Sequence, residues 1–206
     1  MTTDWKTHWE HIHASKDPEV QSWYEPTPTR SMSLIRGTGV SPEAPLIDVG
    51  AGTSTLVDIL TNSGYSDVTV LDIALAAITK ARERLGAKAA SIQWLETDVR
   101  AFEASRRYYL WHDRAMLHFL TEAASVNAYL NALRTALVPG GYFVLATYGP
   151  EAPDRCSGFD VQRYSVEQLT DLLQADFDLQ EYALDDHTTP TGTIQQFLYS
   201  SWKART

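Results

Sequence analysis

This sequence has little cysteine, no long apolar run, no surplus of positive charge and no internal repeat. Its single cysteine, Cys156, excludes an intramolecular disulfide, and the chain suits a reducing compartment such as the cytoplasm. No apolar run approaches the roughly 18 residues that crossing a bilayer takes, so no membrane partner is expected. The opening stretch MTTDWKTHWEHIHASKD is polar and is not expected to act as a signal peptide. Acidic residues outnumber basic ones 26 to 17, for a net charge of -9, which argues against a broad phosphate-binding surface and hence against a nucleic-acid partner. His8, His11 and His13 lie close together, but no cysteine or aspartate accompanies them at ligand spacing, so no metal is expected.

What is present is an ordinary globular composition, 44% hydrophobic and 21% charged in 206 residues. That length fits one domain, 1–206, in which residues 1–40 form an N-terminal arm or lid rich in tryptophan. The arm reads as a short helix followed by an extended segment, because Pro26 and Pro28 each lack an N–H and restrict the preceding residue. From Pro45 onward strands and helices alternate. Apolar runs at 45–49, 68–72, 92–95, 108–112 and 142–148 read as buried strands. Helical spacing appears at 53–63, 74–85 and 121–137, and Ser165 caps a further helix. Residues 178–184 and 195–202 read as two strands joined only by a loop, and therefore antiparallel. The expected fold class is α/β: a doubly wound, Rossmann-like, seven-stranded sheet in the order 3-2-1-4-5-7-6 with an antiparallel last strand.

The strongest chemical signal is LIDVGAGTS at 46–54, a strand, a glycine-rich turn and the start of a helix. Glycines in such a turn let the backbone approach a ligand, and free N–H groups follow. A dinucleotide fingerprint requires a third glycine where Thr55 stands, so the pattern is acidic-x-Gly-x-Gly instead. Asp72 closes the second strand, Asp98 follows the third, and Asp113 follows the fourth. Open α/β sheets bind ligands at these carboxyl ends.

In these motifs the chain resembles the class I S-adenosylmethionine-dependent methyltransferases, from about Trp5 to Trp202. The resemblance implies S-adenosyl-L-methionine as cofactor and S-adenosyl-L-homocysteine as product. It implies that Asp48, Gly50, Ala51, Gly52 and Thr53 hold the methionine part, and that Asp72 with Ile73 holds the ribose. By the same likeness Asp98 and Val99 lie near the adenine, and Asp113 and Arg114 beside the reacting methyl. Trp23 and Tyr24 would surround the cofactor from the arm. Segments such as Ser22-Trp23-Tyr24, Cys156-Ser157-Gly158 and Arg163-Tyr164 are similar to a bacterial branch of small methyltransferases. The chain departs from that branch at His13, where tyrosine is usual, and at Ala74, where serine often stands.

Methyl transfer is an in-line displacement, and a base is needed only where the nucleophile arrives protonated. His187, in the loop expected between the last two strands, is the first candidate for a polar group at the acceptor, and Tyr164 the second. A small-molecule acceptor is expected, because nothing is added to the core domain. A protein-lysine methyltransferase and a non-catalytic cofactor-binding module are the alternatives.

Overall fold

A computed structural model describes residues 4–206; residues 1–3 of the expected arm lie outside it. The seven expected strands are present: β1 (Leu46–Val49), β2 (Val68–Asp72), β3 (Gln93–Glu96), β4 (Tyr108–Arg114), β5 (Leu137–Tyr148), and the pair at the end of the chain. A two-residue hairpin, β6 (Arg155–Cys156) and β7 (Phe159–Asp160), intervenes, so the last two main strands are β8 (Phe177–Thr188) and β9 (Ile194–Ala204). The sheet order is β3-β2-β1-β4-β5-β9-β8, which is the expected order once the small hairpin is set aside. β1 to β5 pair parallel, and β9 runs against both β5 and β8. Among the described residues no helix is long and apolar enough to cross a membrane.

Helices cover both faces. The arm supplies α1 (Trp5–Ser15), and α2 (Thr29–Gly37), α3 (Leu56–Asn62) and α4 (Leu75–Leu85) follow. α5 (Ala123–Ala136) precedes β5, and α6 (Val166–Leu173) precedes β8. One core layer joins Ile47, Val49 and Trp111 to Tyr129 and Leu133 of α5. The other joins Leu46 and Leu110 to Ile35 of α2 and Leu56 and Leu60 of α3. This division follows from strand alternation, which sends successive side chains to opposite faces.

Three differences from the sequence reading bear on function. α2 begins directly after Pro28, where only an extended segment is expected; it is held by burial of Met32, Leu34 and Ile35. The helix expected at 53–63 is shorter, because residues 50–54 turn tightly with Gly50 and Gly52 at positive φ. The first half of the loop expected at 185–192 is strand, because β8 and β9 stay paired as far as Thr188 and Ile194.

Candidate functional site

A cavity opens at the carboxyl ends of β1, β2 and β4, with an empty volume of about 1120 Å³ including its mouth. The turn after β1 forms its floor. Gly50 has φ +62°, and a Cβ there would lie 2.7 Å from the Met116 side chain. Gly52 has φ +55°, and a Cβ there would meet the His13 ring at 3.2 Å. Both glycines are therefore required, for conformation and for space.

The register of β1 on β4 sets Asp48 directly beside His112. Asp48 Oδ1 and His112 Nδ1 are 2.7 Å apart, and His112 Nε2 lies 2.9 Å from Ser31 Oγ of α2. This buried chain ties α2 to the sheet and leaves Asp48 Oδ2 without a partner. Asp72 accepts hydrogen bonds from the N–H groups of Gly52, at 2.7 Å, and Ala74, at 2.8 Å. Burial pushes its carboxyl up to about 6, against the pull of those two donors. Asp98 accepts the Arg100 guanidinium on both oxygens; burial pushes its carboxyl up, but the Arg100 side-chain bond, backbone N–H and charge together hold it below the usual value.

The arm forms the opposite wall. Trp9 meets Trp23 and Phe119 edge-on at 5.8 and 4.9 Å, and Trp5 stacks on Phe159 of the small hairpin at 4.6 Å. His13 is buried with Nδ1 unpartnered, and burial lowers its pKa to about 4, so the ring is neutral at pH 7. Gln21 is buried as well. Its Oε1 accepts from Thr53 Oγ1 at 3.3 Å and its Nε2 has no partner. Arg114 crosses from β4 to the arm, donating to the Trp23 carbonyl at 2.8 Å and to the Tyr199 hydroxyl at 3.1 Å, and pairing with Glu25 at 2.9 Å.

Of the residues singled out from the sequence, Trp23, Tyr24, Asp48, Gly50, Ala51, Gly52, Thr53, Asp72, Ile73, Asp98, Val99 and Arg114 all line this cavity. Asp113 does not. Alternation along β4 turns His112 and Arg114 to the cavity and Asp113 to the other face, where it accepts from Tyr129 Oη at 2.9 Å and the Met116 N–H at 3.1 Å. Tyr164 is in the same core layer as Tyr129, away from the cavity. His187 lies in the β8–β9 ladder behind Glu25. Its Nε2 donates to the Ser22 carbonyl at 2.8 Å, and burial lowers its pKa. Gln21, Glu25 and Phe119, which the sequence does not single out, also line the cavity, as does His112 beside Asp113; no motif marks the first three.

The methyltransferase-domain family matches residues 46–141. Over that stretch the chain is similar to a methyltransferase domain. Solved structures agree on the fold. A S-adenosylmethionine-dependent methyltransferase from Anabaena variabilis is 18% identical, with a TM-score of 0.77 over 98% of this chain and 93% of that one. The N-methyltransferase NodS from Bradyrhizobium japonicum, solved with S-adenosylhomocysteine, is 17% identical, with a TM-score of 0.70 over 98% and 99%. A 1,6-didemethyltoxoflavin-N1-methyltransferase from Burkholderia thailandensis, with substrate and S-adenosylhomocysteine bound, is 18% identical, with a TM-score of 0.68 over 87% and 78%. No protein of curated function matches the chain.

The lining of this cavity fits S-adenosyl-L-methionine. Three polar atoms on residues almost wholly buried lack partners and surround the glycine turn: the acceptor Asp48 Oδ2, the donor Gln21 Nε2 and the ring nitrogen His13 Nδ1. An unpartnered buried polar group costs about 1–3 kcal/mol, so this set calls for a ligand bearing both a cationic donor and an anionic acceptor, as an amino-acid end does.

Proposed function

We propose that this methyltransferase delivers its methyl group to a small-molecule acceptor, and that the arm and the sheet together enclose the cofactor. When bound, the cofactor supplies a sulfonium-activated methyl group. In this reading Asp48 and Gln21 hold its amino-acid end, Asp72 accepts from the ribose hydroxyls, and Asp98 and Val99 flank the adenine. Each carboxylate oxygen can accept more than one hydrogen bond, so the existing partners of Asp72 and Asp98 leave capacity. Trp9, Trp23 and Phe119 exclude water, which strengthens every polar contact inside.

The observation that carries the small-molecule reading is the closure of the arm. It crosses the cavity and is fastened on several sides: Lys6 to Glu96 at 2.6 Å, Lys80 to the Lys16 carbonyl at 2.9 Å, and Arg114 to the Trp23 carbonyl. A folded protein substrate would need that wall displaced. Neither His187 nor Tyr164 serves as a base in this reading, since Nε2 of one is bonded to a carbonyl and the other lies in the core. The test is transfer of isotope-labelled methyl from S-adenosylmethionine into cell extract separated by size. Label in the small fraction supports the proposal. Label in protein points to the lysine-methyltransferase reading. Calorimetric binding of S-adenosylhomocysteine with no label in either fraction points to the non-catalytic module.

A further inference from the structure

Beyond the cofactor contacts, two buried atoms at the arm end of the cavity, Glu25 Oε2 and Arg114 Nη2, have no hydrogen-bond partner. Arg114 is held there by the protein: Nε donates to Tyr199, Nη1 donates to the Trp23 carbonyl, the guanidinium carbon lies 4.9 Å from the centre of the Phe197 ring, and Nη2 stands 2.9 Å from Glu25 Oε1 as an ion pair without hydrogen-bond alignment. Glu25 is fixed by that pairing and by Tyr199 Oη, which donates to Oε1 at 3.3 Å. Its other oxygen, Oε2, is shielded from solvent and accepts nothing. His187 faces Glu25 from behind, but its Nδ1 stands 3.8 Å from Oε1, beyond hydrogen-bond reach, and its Nε2 is committed to Ser22. What this end offers a ligand is thus a fixed acceptor beside a guanidinium whose charge is already paired with Glu25.

The charge of the cavity points the same way. Four carboxylates line it, Glu25, Asp48, Asp72 and Asp98, against two guanidiniums, Arg100 and Arg114. The walls at this end are Trp9, Trp23 and Tyr24, whose ring faces favour cations. We infer that Glu25 is the acceptor-anchoring residue, and that the acceptor is a small basic amine whose nitrogen donates to Glu25 Oε2 at this aromatic wall. The inference rests on the small-molecule reading above. The anchored nitrogen need not be the atom that receives the methyl group. A carboxylate acceptor is disfavoured by the excess of carboxylates lining the cavity and by the ion pair with Glu25 that already takes up the charge of Arg114.

The experiment uses the whole protein saturated with S-adenosylhomocysteine and three probes of one shape: phenethylamine, phenethyl alcohol and phenylacetate. Binding is read by quenching of tryptophan fluorescence. Phenethylamine is expected to bind about tenfold or more tightly than either of the others, the worth of one charge-assisted hydrogen bond. Glu25→Gln keeps the Oε1 contacts and is expected to weaken phenethylamine about tenfold to a hundredfold, and to abolish the preference for amine over alcohol. A purely structural Glu25 would leave that preference intact. Phenylacetate binding as well as the amine, an unchanged preference in Glu25→Gln, or no saturable binding of any probe overturns the inference. If the variant does not fold, the ranking of the three probes on the unaltered protein decides. Titration of S-adenosylhomocysteine alone separates the two levels: its failure sinks the cofactor site, whereas its success with a failed probe ranking sinks only the role of Glu25.

Discussion

The two walls of the cavity are built by different means. The glycine-turn wall comes from the ends of β1 and β2, within residues 48–73, and its shape is backbone shape: two glycines at positive φ and a carboxylate, Asp72, bonded to main-chain N–H groups. The arm wall comes from side chains of residues 5–25, held by bonds to partners as far away as Tyr199. The first wall cannot change without straining the sheet. The second rests on aromatic contacts and a handful of polar fastenings, each of modest worth. Enzymes draw moving lids from regions of the second kind. Residues 5–25 are accordingly expected to open and close, while residues 48–73 stay fixed.

The comparison breaks most visibly at Gly50. Gly50→Ala forces a non-glycine residue to φ +62° and drives its Cβ into Met116. Left-handed backbone alone costs about 1–2 kcal/mol, and displaced Met116 side-chain atoms intrude on the cavity. Affinity for S-adenosylhomocysteine, measured by calorimetry, is expected to fall more than about tenfold, with a lowered Tm. An unaltered affinity would mean that the turn does not touch the ligand.

Adjacent carboxylates sharpen it next. Asp48→Asn exchanges the unpartnered acceptor of the cavity and is expected to weaken S-adenosylhomocysteine about tenfold. Asp113→Asn lies on the far face of β4 and is expected to weaken it less. Its effect belongs to stability. Burial pushes the Asp113 carboxyl up to about 7, against the Tyr129 bond, and that of Asp72 to about 6. Each native carboxyl thus holds its proton more tightly than the unfolded chain does. The stability it contributes is complete below its ordinary value of 3.8 and is lost as pH rises through the native value. Asp113→Asn should flatten the fall in denaturation midpoint between pH 4 and about 7. His13 runs the other way: its pKa falls from 6.5 to about 4, so its contribution is complete above 6.5 and lost as pH drops through about 4. A slope unchanged in Asp113→Asn would overturn the assignment.

Which of these residues sequence could reveal depends on how far their partners lie along the chain. Asp48, Gly50, Gly52 and Asp72 are legible because a strand end and the turn after it are local, and the sheet order follows from strand–helix alternation. Asp113 is misassigned because a strand end locates a residue along β4 without giving its face. That parity is set by the β1–β4 register, which pairs Asp48 with His112. α2 is hidden because Pro26 and Pro28 dominate the local signal, whereas burial of Ile35 against β-strand residues decides the outcome. His187 is misplaced for a similar reason. A polar run reads as a loop, but β8 continues through it as the sheet's edge.

The smallest expected effect tests how the arm is fastened. α4 has Ala74 at its N-cap and no side-chain cap of its own. Glu10 of the arm fills that place, both of its oxygens 3.1 Å from the Ala76 N–H. A carboxylate at a helix N-terminus is worth about 0.3–1 kcal/mol, so Glu10→Ala should barely lower the Tm. The loss falls on one contact between α1 and α4, and on nothing within the sheet. Hydrogen exchange in residues 5–16 should therefore speed up by about two- to fivefold, with the exchange of β1 and β4 unchanged. Added S-adenosylhomocysteine should restore part of the protection, because ligand contacts made by His13 and Gln21 replace the missing fastening. Equal acceleration in the arm and the strands would show one cooperative unit, and the distinction between the two walls would fall.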